Sequence, residues 1–169
     1  MQTSESSAPI DRGHALFQML RRTDRVMYKA RQKELDRYHM TAEAAAVLLC
    51  VLRLGDRATP GAISRMLFLE RNSISEHLAR MEKEGLVNKV KDLDRKNLVR
   101  VRITSKGAEA YRKSARRRST RQIMSVLTPE DQKLMWLLLS RLQVKALKHL
   151  RAKDSGIYPP MDPEQLWPD

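Results

Sequence analysis

The sequence predicts a mainly α-helical protein that carries one small β-hairpin. Apolar residues recur at helical spacing through most of the chain, the period drops to two between residues 87 and 104, and helical spacing then returns. Capping and stop residues mark where the helices begin and end.

Residues 1–12 are small and polar and read as a mobile arm. From 13 to about 37, Leu16, Met19, Leu20, Met27 and Ala30 keep helical spacing among Arg21, Arg22, Arg25, Lys29 and Arg31. Thr41 caps "AEAAAVLLCVLRLG", an apolar helix stopped at Gly55. "ATPGAISRML" restarts with Thr59 as cap and Pro60 at the first helical position. A turn, "FLER", leads into "NSISEHLARMEKEG", where Gly85 ends a helix whose buried stripe is Ile74, Leu78, Met81 and, through the turn, Leu86.

"LVNKV" and "LVRVRIT" then suit two strands, with Val99, Val101 and Ile103 on one face and Arg100 and Arg102 on the other. Thr104 opens a long helix expected to reach about residue 126. Thr128 and Pro129 open the last one, "PEDQKLMWLLLSRLQVKALKHL". The end, "DSGIYPPMDPEQLWPD", is Pro-rich and acidic and is left irregular. A helix-turn-helix followed by a hairpin is the order of a winged helix. The expected organisation is an arm at 1–12, a helix at 13–40, a winged helix-turn-helix at 41–107, C-terminal helices at 108–152 and a tail at 153–169.

The chain of 169 residues carries 33 Lys and Arg against 20 acids, a net charge of +13 and a pI near 10.3. Four of those acids (Asp154, Asp162, Glu164 and Asp169) fall after Lys153, in a stretch without Lys or Arg. Such an excess favours a polyanionic partner, because each neutralised phosphate releases condensed counterions. No apolar run approaches the roughly 18–20 residues of a membrane span, and the N-terminus lacks the basic-then-apolar order of a signal peptide. The single cysteine, Cys50, excludes an intramolecular disulfide and reads as a buried, inert thiol. The expected location is the cytoplasm, on the nucleoid. Nothing in the sequence assembles a nucleophile elbow, a phosphate-cradling loop or a nucleotide fingerprint. His14, His39, His77 and His149 have no metal-site spacing, so neither an enzyme nor a cofactor is expected.

A DNA-reading helix needs one face packed on its own domain and another bearing short polar and cationic groups that reach base edges. "RNSISEHLAR" divides in this way: Ile74 and Leu78 face inward, leaving Arg71, Asn72, Ser73, Ser75, Glu76 and Arg80 outside. An ordinary amphipathic helix with a Ser73–Glu76 capping box accounts for the same residues. The hairpin adds Lys89, Lys91, Arg95, Lys96, Arg100 and Arg102 as a cationic blade beside it, suited to phosphates and the minor groove.

The run from Thr41 to Gly107 resembles the winged-helix core of the multiple-antibiotic-resistance regulator (MarR) family. The residues that carry the resemblance are "AISRML", "RNSISEHLARMEKEGLV" and "DLDRKNLVRVRITSKG". With its flanking helices the resemblance covers roughly residues 13–150. It implies a homodimeric transcription regulator, usually a repressor, bound to a double-stranded operator and built on terminal helices from both chains. By position, Asn72, Ser73, Ser75, Glu76 and Arg80 match the groove-facing helix, and Asp94 and Arg95 match the wing pair. The tip is about one residue longer than the family pattern, so Arg95 and Lys96 can exchange roles. Glu76 stands where a basic or neutral residue is frequent.

The family's effectors are small aromatic or anionic molecules held between the first helix and the DNA-binding domain, which points to His14, Arg21, Arg22 and His39. A non-sequence-specific architectural DNA- or RNA-binding protein is the alternative that the charge alone supports. "LMWLLLSRLQVKALKHL", at 134–150, places apolar groups on more than one stripe, which implies a symmetry mate or a helix sunk deep in one core. "RRR" at 116–118 is expected on a helix, either solvated or grazing phosphate.

Overall fold

A computed structural model describes residues 11–91 and 99–152. The arm up to residue 10, the wing tip with Asp94, Arg95 and Lys96, and the tail from 153 lie outside the described residues.

The order is α1 (Arg12–Leu35), α2 (Ala42–Leu54), α3 (Pro60–Leu67), α4 (Arg71–Lys83), β1 (Val87–Val90), β2 (Arg100–Ile103), α5 (Ser105–Ser114), α6 (Arg118–Met124) and α7 (Pro129–His149). The expected caps form. Thr41, Thr59, Thr104 and Thr128 each accept from a backbone amide in the first turn of the helix that follows, and Thr128 completes a capping box with Asp131. Gly85, at φ 71°, ends the turn after α4 in the left-handed region that a side chain disfavours.

One core holds α2 through α5 and the hairpin together. Val47, Leu48, Ile63, Ile74, Leu78, Val87 and Val101 are fully buried in it, each large side chain contributing roughly 1.5–3 kcal/mol relative to exposure. The strands are antiparallel, pairing Val87 with Ile103 and Val90 with Arg100. α5 leaves the hairpin so close to its start that a Cβ at Gly107 would lie 2.0 Å from the Leu86 carbonyl oxygen.

The expected long helix from Thr104 to about 126 is two helices. α5 stops at Ser114, Arg117 takes a left-handed conformation (φ 46°), and α6 begins at Arg118. "RRR" therefore marks a break and not a helix face. The cause is tertiary. Glu34 of α1 accepts from the amides of Arg118 (2.9 Å) and Ser119 (3.0 Å), and Arg31 donates to the Ser114 carbonyl. Both ends of the break are thereby satisfied from α1.

α7 is not sunk in its own core. Leu147 is its one buried residue, while Leu134, Leu138, Leu142 and Val144 are exposed. On α1, Leu16, Phe17, Met19 and Val26 are exposed as well.

Candidate nucleic-acid interface

α3 and α4 are joined by a tight turn in which Phe68 adopts φ 52°. The buried Ser64 fixes that turn: its hydroxyl donates to the Leu69 carbonyl at 2.8 Å, and the Leu69 amide donates back to the Ser64 carbonyl at 3.2 Å. The geometry presents α4 with Ile74, Leu78 and Met81 inward. Positions 72, 76, 79 and 83 fall opposite them at helical spacing, so the outward stripe is Asn72, Glu76, Ala79 and Lys83, all exposed. Ser75 lies on one shoulder, its hydroxyl returned to the Arg71 carbonyl at 2.9 Å. Arg80 lies on the other, where its guanidinium donates to Nδ1 of His77 at 2.7 Å. Ser73 is half-buried within the first turn, Glu70 is the N-cap, and no side chain caps the helix. The Ser73–Glu76 capping box is therefore not formed.

Ala79 and Lys83 were not singled out by sequence, although the i, i+4, i+7, i+11 spacing from Asn72 carried the signal, and His77 was weighed there only as a metal ligand.

The hairpin stands beside α4, and its cations differ from a uniform blade. Arg100 is largely buried, with its guanidinium 3.0 Å from Asp56 on the turn after α2. Arg102 is exposed, 3.8 Å from the same carboxylate. Lys89 pairs with Glu82 of α4 at 3.2 Å, and its amide donates to the other Glu82 oxygen at 3.0 Å. That amide bond, with the ammonium beside it, holds the Glu82 carboxyl below its usual range. Lys91 is exposed.

A cavity of about 450 Å³ separates this head from α1, α6 and α7. Arg31, Arg53 and Arg117 line it with Tyr111 and Trp136 over an Ala- and Leu-rich floor, and among the described residues no acid lines it. Cys50 also borders it. Burial pushes that thiol up to about 12, against a small opposing pull from Arg53. The sequence-chosen effector residues are not gathered there. His14 and Arg21 are exposed on α1, Arg21 over the Phe17 ring at 5.8 Å. His39 borders a separate cleft of about 80 Å³ with His77 and Arg80. Tyr28 of α1 donates to Glu43 of α2; burial and that bond raise the phenol to about 12.

No sequence-family model matches the chain, and neither does any curated protein. Solved structures do. Escherichia coli MarR, as a mutant in complex with operator DNA, superposes with a TM-score of 0.72 at 19% identity, over 80% of this chain and 99% of that one. The fold is that of the MarR family. AbsC, a MarR family transcriptional regulator from Streptomyces coelicolor, gives a TM-score of 0.69 at 21% identity, over 86% of this chain and 99% of that one. The organohalide-sensing RdhR transcriptional regulator, in its 2,4-dichlorophenol-bound form, gives 0.71 at 26% identity, over 88% and 89% of the two chains. On this MarR fold α4 and the hairpin are the helix and wing of the motif, and the arginine-lined cavity sits between that motif and the terminal helices. Among the described residues no single helix is long and apolar enough to cross a membrane.

Proposed function

We propose that the chain is a MarR-family transcriptional regulator that binds double-stranded DNA as a homodimer and represses a promoter bearing its pseudo-palindromic operator. The observation that carries this reading is the exposed stripe of Asn72, Glu76, Ala79 and Lys83 beside a cationic hairpin, on the fold that E. coli MarR brings to operator DNA. The stripe enters the major groove and the wing follows the adjacent minor groove, with half-sites about 10 bp apart on one face of the duplex. Two α4 helices need a dimer to meet two half-sites, and the exposed apolar faces of α1 and α7 are suited to build it.

The test is competition. The purified protein should hold its own upstream DNA against excess random duplex at moderate salt. Equal competition by random DNA supports the architectural alternative and ends the regulator reading.

An effector acts on this design from the cavity. Three arginines with Tyr111 and Trp136 suit a small aromatic anion, and a ligand that prefers one spacing of the two heads shifts the dimer away from DNA. Calorimetric titration with aromatic carboxylates and chlorophenols, in wild type and Arg53→Ala, tests that seat.

A further inference from the structure

The hairpin is clamped along its paired strands from both edges by acids that belong to the helical body. On β2, Arg100 reaches Asp56 at 3.0 Å and Arg102 lies 3.8 Å from the same oxygen. Between them the Val101 amide donates to the Ala58 carbonyl, two residues beyond Asp56, at 2.8 Å. On β1, Glu82 takes both the amide and the ammonium of Lys89. Asp56 has little reason to be there for stability, because its side chain is 84% exposed and such pairs contribute little to folding. Nor does it help a DNA-binding surface electrostatically, since a carboxylate among cations weakens attraction to phosphate.

We propose that Asp56 is a positioning residue for the wing: it fixes β2 against the turn after α2 and so sets the angle at which the hairpin meets the minor groove. The proposal rests on the DNA-binding reading above and extends it to a residue outside helix and wing. Its logic gives a sign. A carboxylate that serves only as a counter-charge subtracts from the attraction to phosphate, so neutralising it tightens binding. A carboxylate that aims the wing leaves the hairpin loose when neutralised, and binding weakens.

The experiment compares wild type, Asp56→Asn and Asp56→Glu in two measurements. In the free protein, amide hydrogen exchange over residues 87–90 and 100–103 should quicken in Asp56→Asn and return toward wild type in Asp56→Glu, with melting temperature nearly unchanged. On upstream DNA, Asp56→Asn should bind about three- to tenfold more weakly and lose hydroxyl-radical protection at the outer flanks of the site, and Asp56→Glu should recover both. Unaltered exchange in Asp56→Asn, or equal or tighter DNA binding by it, overturns the proposal. Failure of wild type to prefer its upstream DNA counts against the regulator reading instead, and the exchange measurement still decides whether Asp56 holds the hairpin.

Discussion

Ser119 closes the start of α6 onto Glu34, eighty-five positions away: its amide, at 3.0 Å, and its hydroxyl, at 2.5 Å, both donate to one carboxylate oxygen. The other oxygen takes the Arg118 amide at 2.9 Å, and Arg31 pairs with the carboxylate at 3.0 Å. Helix caps ordinarily come from the adjoining turn; this one is supplied by another helix. Truncating it should therefore cost more than a surface change. Glu34→Ala is expected to lose about 1–3 kcal/mol of stability, read as a lowered melting temperature, and Glu34→Gln less. An unchanged melting temperature in Glu34→Ala would sink the cap.

The same carboxylate should leave an acid signature. Burial alone would raise its pKa, but the Ser119 hydroxyl and amide, the Arg118 amide and Arg31 outweigh it and hold the group at about 2, from an ordinary 4.5. A depressed native pKa means the stabilisation is complete above pH 4.5 and fades as pH falls toward 2. The stability difference between wild type and Glu34→Gln should narrow over that window in acid titrations at constant salt. A difference that stays constant or widens would contradict it.

Gly107 tolerates no side chain. Its Cβ would meet the Leu86 carbonyl oxygen at 2.0 Å and Ile103 at 3.0 Å, so Gly107→Ala must push α5 off the hairpin. The expected loss is about 1–3 kcal/mol or more, measured by chemical denaturation. Alanine is otherwise the better helix former, so a neutral or stabilised variant would show that α5 shifts freely.

The apolar face of α7 should govern assembly. Leu138→Glu with Leu142→Glu places two charges where each leucine is about half exposed or more in the single chain, so the fold should survive while the dimer does not. Light scattering should report the monomer mass and circular dichroism an unchanged helix content. A persisting dimer moves the interface elsewhere.

Base reading and phosphate contact should separate between α4 and the hairpin. Asn72→Ala with Glu76→Ala should erode preference between operator variants more than it lowers affinity for random duplex. Arg102→Ala should weaken all duplexes alike and reduce the salt slope by about one. Undiminished selectivity in the double variant would mean that another face of α4 reads the bases.

Most of the fold was legible because its signals are local. Thr41, Thr59, Thr104 and Thr128 each write a helix start within four residues, and the switch from period 3.6 to period 2 marks the hairpin. The break at Arg117 was not legible, since "SARRRST" contains good helix formers and its cause sits on α1. The outward stripe of α4 could be read from spacing. The fate of the hairpin cations could not, because Asp56 lies 44 positions from Arg100 and exposed acids meet cations only through tertiary placement. The cavity escaped for a similar reason: Arg31, Arg53 and Arg117 come from α1, α2 and the break, and nothing in the chain order brings them together.

The long reach of the Glu34 cap has a consequence for how the chain is made. Translation at about 5–20 residues per second separates Glu34 from Ser119 by roughly 4–17 s. Throughout that interval α1 is complete, with its exposed apolar face, while the helix it must cap does not yet exist. The head made of α2 through α5 and the hairpin, whose core lies wholly between these two residues, is synthesised within that wait. α1 and α6 can lock together only after the head is made, so the molecule closes the end that carries its terminal helices last.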